Sequence, residues 1–194
     1  AETRDDLSRV LPELDVPRPR APSESRIPVP ADETEIARAQ LKVKREFKDA
    51  YDSAGSGPKQ LALAKTLREA AVAEQSDRMR QFVLFDDAVR FAVAAGALED
   101  AFSTVDAMGR VFAIDSVEKK TAVLGAVARG TVGVRRHREL VPLALELARE
   151  AAMGGRANQL ERILESAKDS ARKTGSAGTM KEVMEFETGL KKRP

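Results

Sequence analysis

The 194-residue chain has no cysteine, no tryptophan and one histidine, His137. Without cysteine there are no disulfides and no thiolate metal sites, although the compartment stays open. A single histidine cannot build a Cys/His zinc site, and no His-Glu-x-x-His spacing exists. Aromatic residues make up only 4%, so the core must come from Ala, Leu, Val, Met and seven Phe. No stretch approaches the roughly 18 consecutive apolar residues of a membrane helix, and no membrane insertion is expected. Charge of one sign is also lacking. Thirty-three basic residues offset 31 acidic ones to leave a formal +2, which gives no global field for nucleic acid or anionic lipid. The polar opening Ala1-Glu2-Thr3-Arg4-Asp5-Asp6 is no signal peptide, and a start without Met reads as a mature secreted or trimmed form.

What is present is helical. Apolar residues reach 42% and charged residues 33%, a mixture suited to amphipathic helices with solvated outer faces. Residues 1–30 stand apart, holding Pro12, Pro17, Pro19, Pro22, Pro28 and Pro30 of nine prolines in all. Proline lacks an amide donor and restricts the residue before it, so this segment reads as an extended arm or linker. It is either a plain tether or an arm that docks along the helices with Leu7, Val10, Leu11 and Leu14 as anchors.

From residue 31 the pattern predicts a helical-repeat domain reaching residue 194. Asp32-Glu33-Thr34-Glu35 is a capping box, and Ile36, Gln40, Val43, Phe47, Ala50, Tyr51 and Ala54 then form one stripe. Gly55-Ser56-Gly57-Pro58 ends this first helix and opens a second over about 58–75. The third, about 77–95, is apolar nearly all round through Phe82, Val83, Leu84, Phe85, Ala88, Val89, Phe91 and Val93, so it needs neighbours on several sides. The fourth follows Gly96. Asp115-Ser116-Val117-Glu118 caps the fifth, and Gly130-Thr131-Val132-Gly133 interrupts it. The sixth runs from Leu143 to Ala152, with Pro142 in its first turn or kinking it. A seventh follows Gly154-Gly155, and an eighth carries Met180, Val183, Met184 and Leu190. No alternating strand pattern appears. The expected fold class is all-α.

The stretch from Ala92 through Gly96 to Ala101 ends one helix at glycine and places a small residue five positions later, as a tight antiparallel hairpin requires. With Phe85 and Val105 flanking, it resembles the core of a tetratricopeptide repeat, and Ala148 to Leu164 repeats the theme around Gly155. A longer resemblance rests on Ile27-Pro28-Val29-Pro30, Glu46-Phe47-Lys48-Asp49-Ala50-Tyr51 and Leu61-Ala62-Leu63-Ala64-Lys65. The stretches Phe82 to Ala88 and Leu143 to Ala148 add to it. From about residue 28 to 175 the chain is similar to an uncharacterised helical domain of secreted planctomycete-type bacterial proteins. That resemblance implies a tetratricopeptide-like stack and an extracytoplasmic site, periplasmic or secreted, and brings no activity or functional residues.

Chemistry-bearing constellations are few. Arg135, Arg136 and Arg138 surround His137 in a loop or first helical turn and form the densest basic cluster. Three guanidinium forks suit carboxylate or phosphate, while a solvated turn pairing with Glu139 is the plainer reading. His137 itself is read as a neutral surface residue. Asp86 and Asp87 point about 100° apart on a helix, so they do not converge, and Asp86 is in reach of Arg90 at the four-residue step. No phosphate loop and no Gly-x-Ser-x-Gly elbow occurs.

The resulting expectation is an α-solenoid of about seven or eight helices in stacked antiparallel hairpins. It is expected to be non-enzymatic, with no cofactor and no metal. Its partner is a protein or peptide, or another domain of its parent chain, with Arg135, Arg136, Arg138, Asp86 and Arg90 as candidate contacts. The alternatives are a structural spacer or oligomerisation module, and an anionic-ligand or nucleic-acid site at the Arg-rich turn. Near-neutral charge and few aromatics make nucleic acid the weaker of these. An enzyme of scattered carboxylates and arginines would need a deep polar pocket.

Overall fold

The structure is a computed structural model that describes residues 26–191. The proposed anchors Leu7, Val10, Leu11 and Leu14, most of the Pro-rich arm and residues 192–194 lie outside the described residues. Nine helices make up the described part: α1 (Glu33–Glu46), α2 (Lys48–Ser53), α3 (Gly57–Ala73), α4 (Arg78–Ala94), α5 (Leu98–Val111), α6 (Ser116–Gly130), α7 (Val134–Met153), α8 (Ala157–Thr174) and α9 (Ala177–Lys191). Among the described residues there is no strand, only an isolated parallel bridge between Ile27 and Phe112. The all-α expectation holds.

Local chemistry sets the boundaries. The Asp32 carboxylate accepts from the backbone amides of Thr34 at 2.8 Å and Glu35 at 3.1 Å. Asp115 accepts from Glu118 N at 3.1 Å, and Asp77 caps α4 through Arg80 N at 2.9 Å. Each satisfies an amide that the first helical turn leaves unpaired. The two glycine hairpins close in the same way. Gly96, at φ 70°, lets Ala97 N reach Ala92 O and its own amide reach Val93 O, both at 2.9 Å. Gly155, at φ 66°, lets Arg156 N reach Ala151 O at 2.9 Å and its own amide reach Ala152 O at 3.1 Å. This is the paired C-terminal bond set that a left-handed residue permits, so the shared theme in the sequence is a shared turn.

Two boundaries differ from the sequence reading. The expected first helix divides at Phe47 (φ −99°, ψ 24°) into α1 and α2, which accounts for nine elements in place of eight. The break lets Phe47 and Tyr51 both pack against the N-terminal core. The helix expected from Leu143 begins instead at Val134, with Pro142 inside it. An interior proline costs about 3 kcal/mol; burial of Leu140 and Val141 just upstream and of Ala144, Leu145, Leu147 and Ala148 downstream works against that cost.

From α3 onward the helices pack on their chain neighbours and on the helix two further along, whereas α1 packs on α2 and α4. Contacts run α3–α4, α4–α5, α5–α6, α6–α7, α7–α8 and α8–α9, and also α3–α5, α4–α6, α5–α7, α6–α8 and α7–α9. The α3–α4 and α7–α8 hairpins are the most extensive. Helix α4 touches α1, α3, α5 and α6, as its all-round apolar sequence requires. One core cluster gathers Val43, Leu67, Phe85, Met108 and Phe112; a second gathers Val105, Leu124, Leu147, Ile163 and Val183. Phe91 and Ile114 pack against both. Five side-chain bridges between helices share a nearly fixed separation, whereas Lys120–Glu150, 30 positions apart, and Asp115–Arg156, 41 apart, do not. Glu46–Arg80, Tyr51–Asp87, Lys65–Asp100, Arg68–Ser103 and Asp86–Lys119 link residues 33 to 36 positions apart. One helix, a turn, a second helix and a turn occupy about that length.

Candidate functional site

Helices α3, α5 and α7 lie side by side and line a groove of about 500 Å³. Arg68 and Val72 come from α3; Glu99, Phe102, Asp106 and Arg110 from α5; Leu143, Glu146 and Glu150 from α7. The walls differ in charge. The α3 wall offers Arg68, which donates to Ser103 Oγ at 3.1 Å, whereas the α7 wall offers only acids among its charged residues. Glu99, Arg110 and Glu146 are exposed and form no ion pair among the described residues.

At the base sits Lys120 of α6, only 6% exposed. Its ammonium meets Asp106 at 2.7 Å and Glu150 at 3.0 Å, and stands 5.8 Å from the centre of the Phe102 ring. Burial alone would lower the ammonium's pKa; hydrogen bonds and charge from Asp106 and Glu150 outweigh it, and the net shift is upward. With its ammonium bound to Asp106 of α5 and Glu150 of α7, Lys120 of α6 links three helices. Among the described residues no group of three or more His, Cys, Asp or Glu is placed to hold a metal ion.

A second groove of about 600 Å³ runs between α1, α2 and α4. Here the Tyr51 hydroxyl donates to the buried Asp87 carboxylate, whose other oxygen accepts from Arg90 at 2.7 Å. Desolvation, then the hydrogen bond to Asp87, raises the Tyr51 phenol. Tyr51 and Phe91 meet edge to face at 5.2 Å, and Arg90 lies over the Phe91 ring.

The five sequence candidates do not assemble into one site. Asp86 does not pair with Arg90: it binds Lys119 of α6 at 2.8 Å, while Arg90 takes Asp87 at the three-residue step. The two aspartates diverge, as helical geometry demands. Arg90 lines the second groove. Arg135 pairs with Glu139 at 3.0 Å and is almost fully exposed, the solvated reading of the Arg-rich turn. The guanidinium of Arg136 reaches the α4–α5 turn, 3.4 Å from where a Cβ on Gly96 would stand. Arg138 is exposed.

His137 contradicts its surface reading. It is 4% exposed, and its Nδ1 has no hydrogen-bond partner. Because α7 starts at Val134, residues 137, 140, 141 and 144 share the inward face. Burial, then the charge of Lys173, lowers the pKa of His137, against a hydrogen bond to the Thr131 backbone that raises it. With the folded value below the unfolded 6.5, the unfolded chain binds the extra proton first. Stability contributed by the neutral ring is therefore kept above 6.5 and lost as pH falls through and below it. Urea midpoints measured at about pH 7.5 and about pH 5 should diverge more for the wild type than for His137→Gln; equal slopes would remove His137 from the account.

Comparison with protein-family models, curated proteins and solved structures yields no match to this chain.

Proposed function

We propose that this chain is a non-enzymatic, tetratricopeptide-like α-solenoid that holds a protein or peptide partner in the groove of α3, α5 and α7. The observation that carries the reading is the groove itself: three alternate helices share one concavity, bordered by bridges about one helical hairpin apart. Stacked hairpins bury one side of each helix and leave such a continuous surface open. The lining supports recognition of a segment with apolar and charged residues, since exposed Val72 and half-buried Phe102 and Leu143 lie among Glu99, Arg110 and Glu146, which form no ion pair among the described residues. Its most enclosed charge, Lys120, is fully committed to two carboxylates. The extracytoplasmic placement implied by the sequence resemblance belongs to the same proposal, and fractionation of the source cells tests it.

The binding test uses Val72→Glu, a change at an exposed position that leaves the core untouched. Immobilised wild-type chain retains a saturable partner from native extract, and the variant loses it at unchanged helicity. An identical set of retained proteins for both chains would reject the groove.

A second reading, self-association, is favoured by one specific feature. Helix α9 presents Met180, Met184 and Thr188 along a shallow apolar face, with Met184 exposed. Soft thioethers suit an adaptable contact. Light scattering would then show a multimer that Met184→Lys converts to monomer.

A further inference from the structure

Helix α9 buries one side and leaves the other bare. Val183 is fully buried, and among the described helices only α7 and α8 pack on α9. The outer side is a shallow depression running from Ala177 to Gly189. At about 100° per residue, Ala177, Met184 and Thr188 fall on one line, with Met180 beside it. The hydroxyl on that line is already spent, because Thr188 Oγ1 donates to Met184 O at 2.8 Å. The stripe can therefore be covered without stranding a polar group.

The two flanks of the stripe differ. On the α8 side Lys168 and Glu187 pair at 2.7 Å. On the other stand Lys181 and Glu185, the two charges that line the depression. They meet each other only at 3.6 Å and both are largely exposed, so each keeps room for a second partner.

Opposite charges one turn apart on the same flank make this face its own complement. A two-fold axis perpendicular to α9 and level with residue 183 reverses the order of residues but keeps each on its flank. Lys181 of one copy then stands level with Glu185 of the other, and the reverse pair forms by symmetry. The same register suits the apolar stripe. At 1.5 Å per residue, Met184 lies about 3 Å in height from both Met180 and Met184 of the second copy, so it enters the gap between them. Ala177 comes level with Gly189, and both are small enough to let the helix ends approach.

We infer that α9 pairs antiparallel with α9 of a second copy of this chain. Two Lys181–Glu185 bridges set the register, and Met184 seats between Met180 and Met184 of the other copy. The inference rests on self-association through α9 and gives it a geometry. It fails separately, since a multimer indifferent to these two charges would leave self-association standing and remove the antiparallel register.

Molecular mass of the full-length chain, read by light scattering, tests the register. The wild type should be a dimer. Lys181→Glu and Glu185→Lys, both at exposed positions and checked for unchanged helicity, each set like charges opposite one another twice per dimer. Each should raise the dissociation constant roughly tenfold. An equimolar mixture of the two variants should recover the dimer, because every facing pair is again opposite in sign. A chain carrying both substitutions should dimerise like the wild type. A wild type that stays monomeric at its highest soluble concentration, single variants as dimeric as the wild type, or a mixture that stays monomeric would each overturn the inference.

Discussion

Phe85→Ala should unfold the protein at a much lower denaturant concentration, with a loss of about 4 kcal/mol. Phe85 is 1% exposed in α4, the helix that contacts α1, α3, α5 and α6, so no single neighbour can collapse into the space left behind. The cost is the transfer free energy of the ring plus the cavity, and the cavity persists because α1, α3 and α5 supply residues to the same core cluster around α4. For a chain of this size the loss corresponds to about 12 °C in melting temperature. Phe102→Ala provides the contrast. Phe102 is half-buried on the groove wall, and its truncation opens onto solvent, so about 1 kcal/mol is expected. Thermal and chemical unfolding of the two variants check the ratio; equal losses would mean that the core is not where the packing places it.

Lys120→Met is the second large effect, about 2 kcal/mol of destabilisation at neutral pH. Breaking a buried ion pair by removing one partner costs about 3–5 kcal/mol when the remaining charge is fully enclosed. Here the side chains of Asp106 and Glu150 are each 43% exposed, so water recovers part of the loss. What remains is repulsion of two carboxylates on α5 and α7 that the ammonium now joins. Adding Asp106→Asn and Glu150→Gln should recover most of the stability, because the fault lies in uncompensated charge and Met fills the lysine stem's space. If the triple variant is no better than the single one, Lys120 acts through packing alone.

The same residues show how far a sequence can be read. Caps at Asp32 and Asp115, turns at Gly96 and Gly155 and the crowded third helix were legible because each depends on spacing within a few residues. The break at Phe47 was not: its stripe continues unbroken to Ala54, and it is packing onto α4 that redirects Tyr51. Inward polar residues were missed for a related reason. Lys120 sits on the stripe of Val117, Thr121, Leu124 and Val127, and His137 lies one turn before Leu140 and Val141. A charge or an imidazole at an apolar-face position was the available signal, and residue type overrode position. The clasps between Asp86 and Lys119 and between Tyr51 and Asp87 join residues 33 and 36 positions apart. No local rule pairs such residues; only the hairpin length does. At the Arg-rich turn the four-residue spacing was enough for the plainer reading, since Arg135 and Glu139 pair on a solvated helical face.

Two exposed apolar residues, matched in accessibility, separate the two grooves. Val72 is 57% exposed beside α5, and Leu41 is 60% exposed beside α4. A photo-crosslinking amino acid placed at each position in the full-length chain, irradiated in native extract, tests the central claim most directly. The account predicts a discrete, competable adduct from position 72 and none from position 41. An adduct from 41 alone, or no adduct from either, would contradict it.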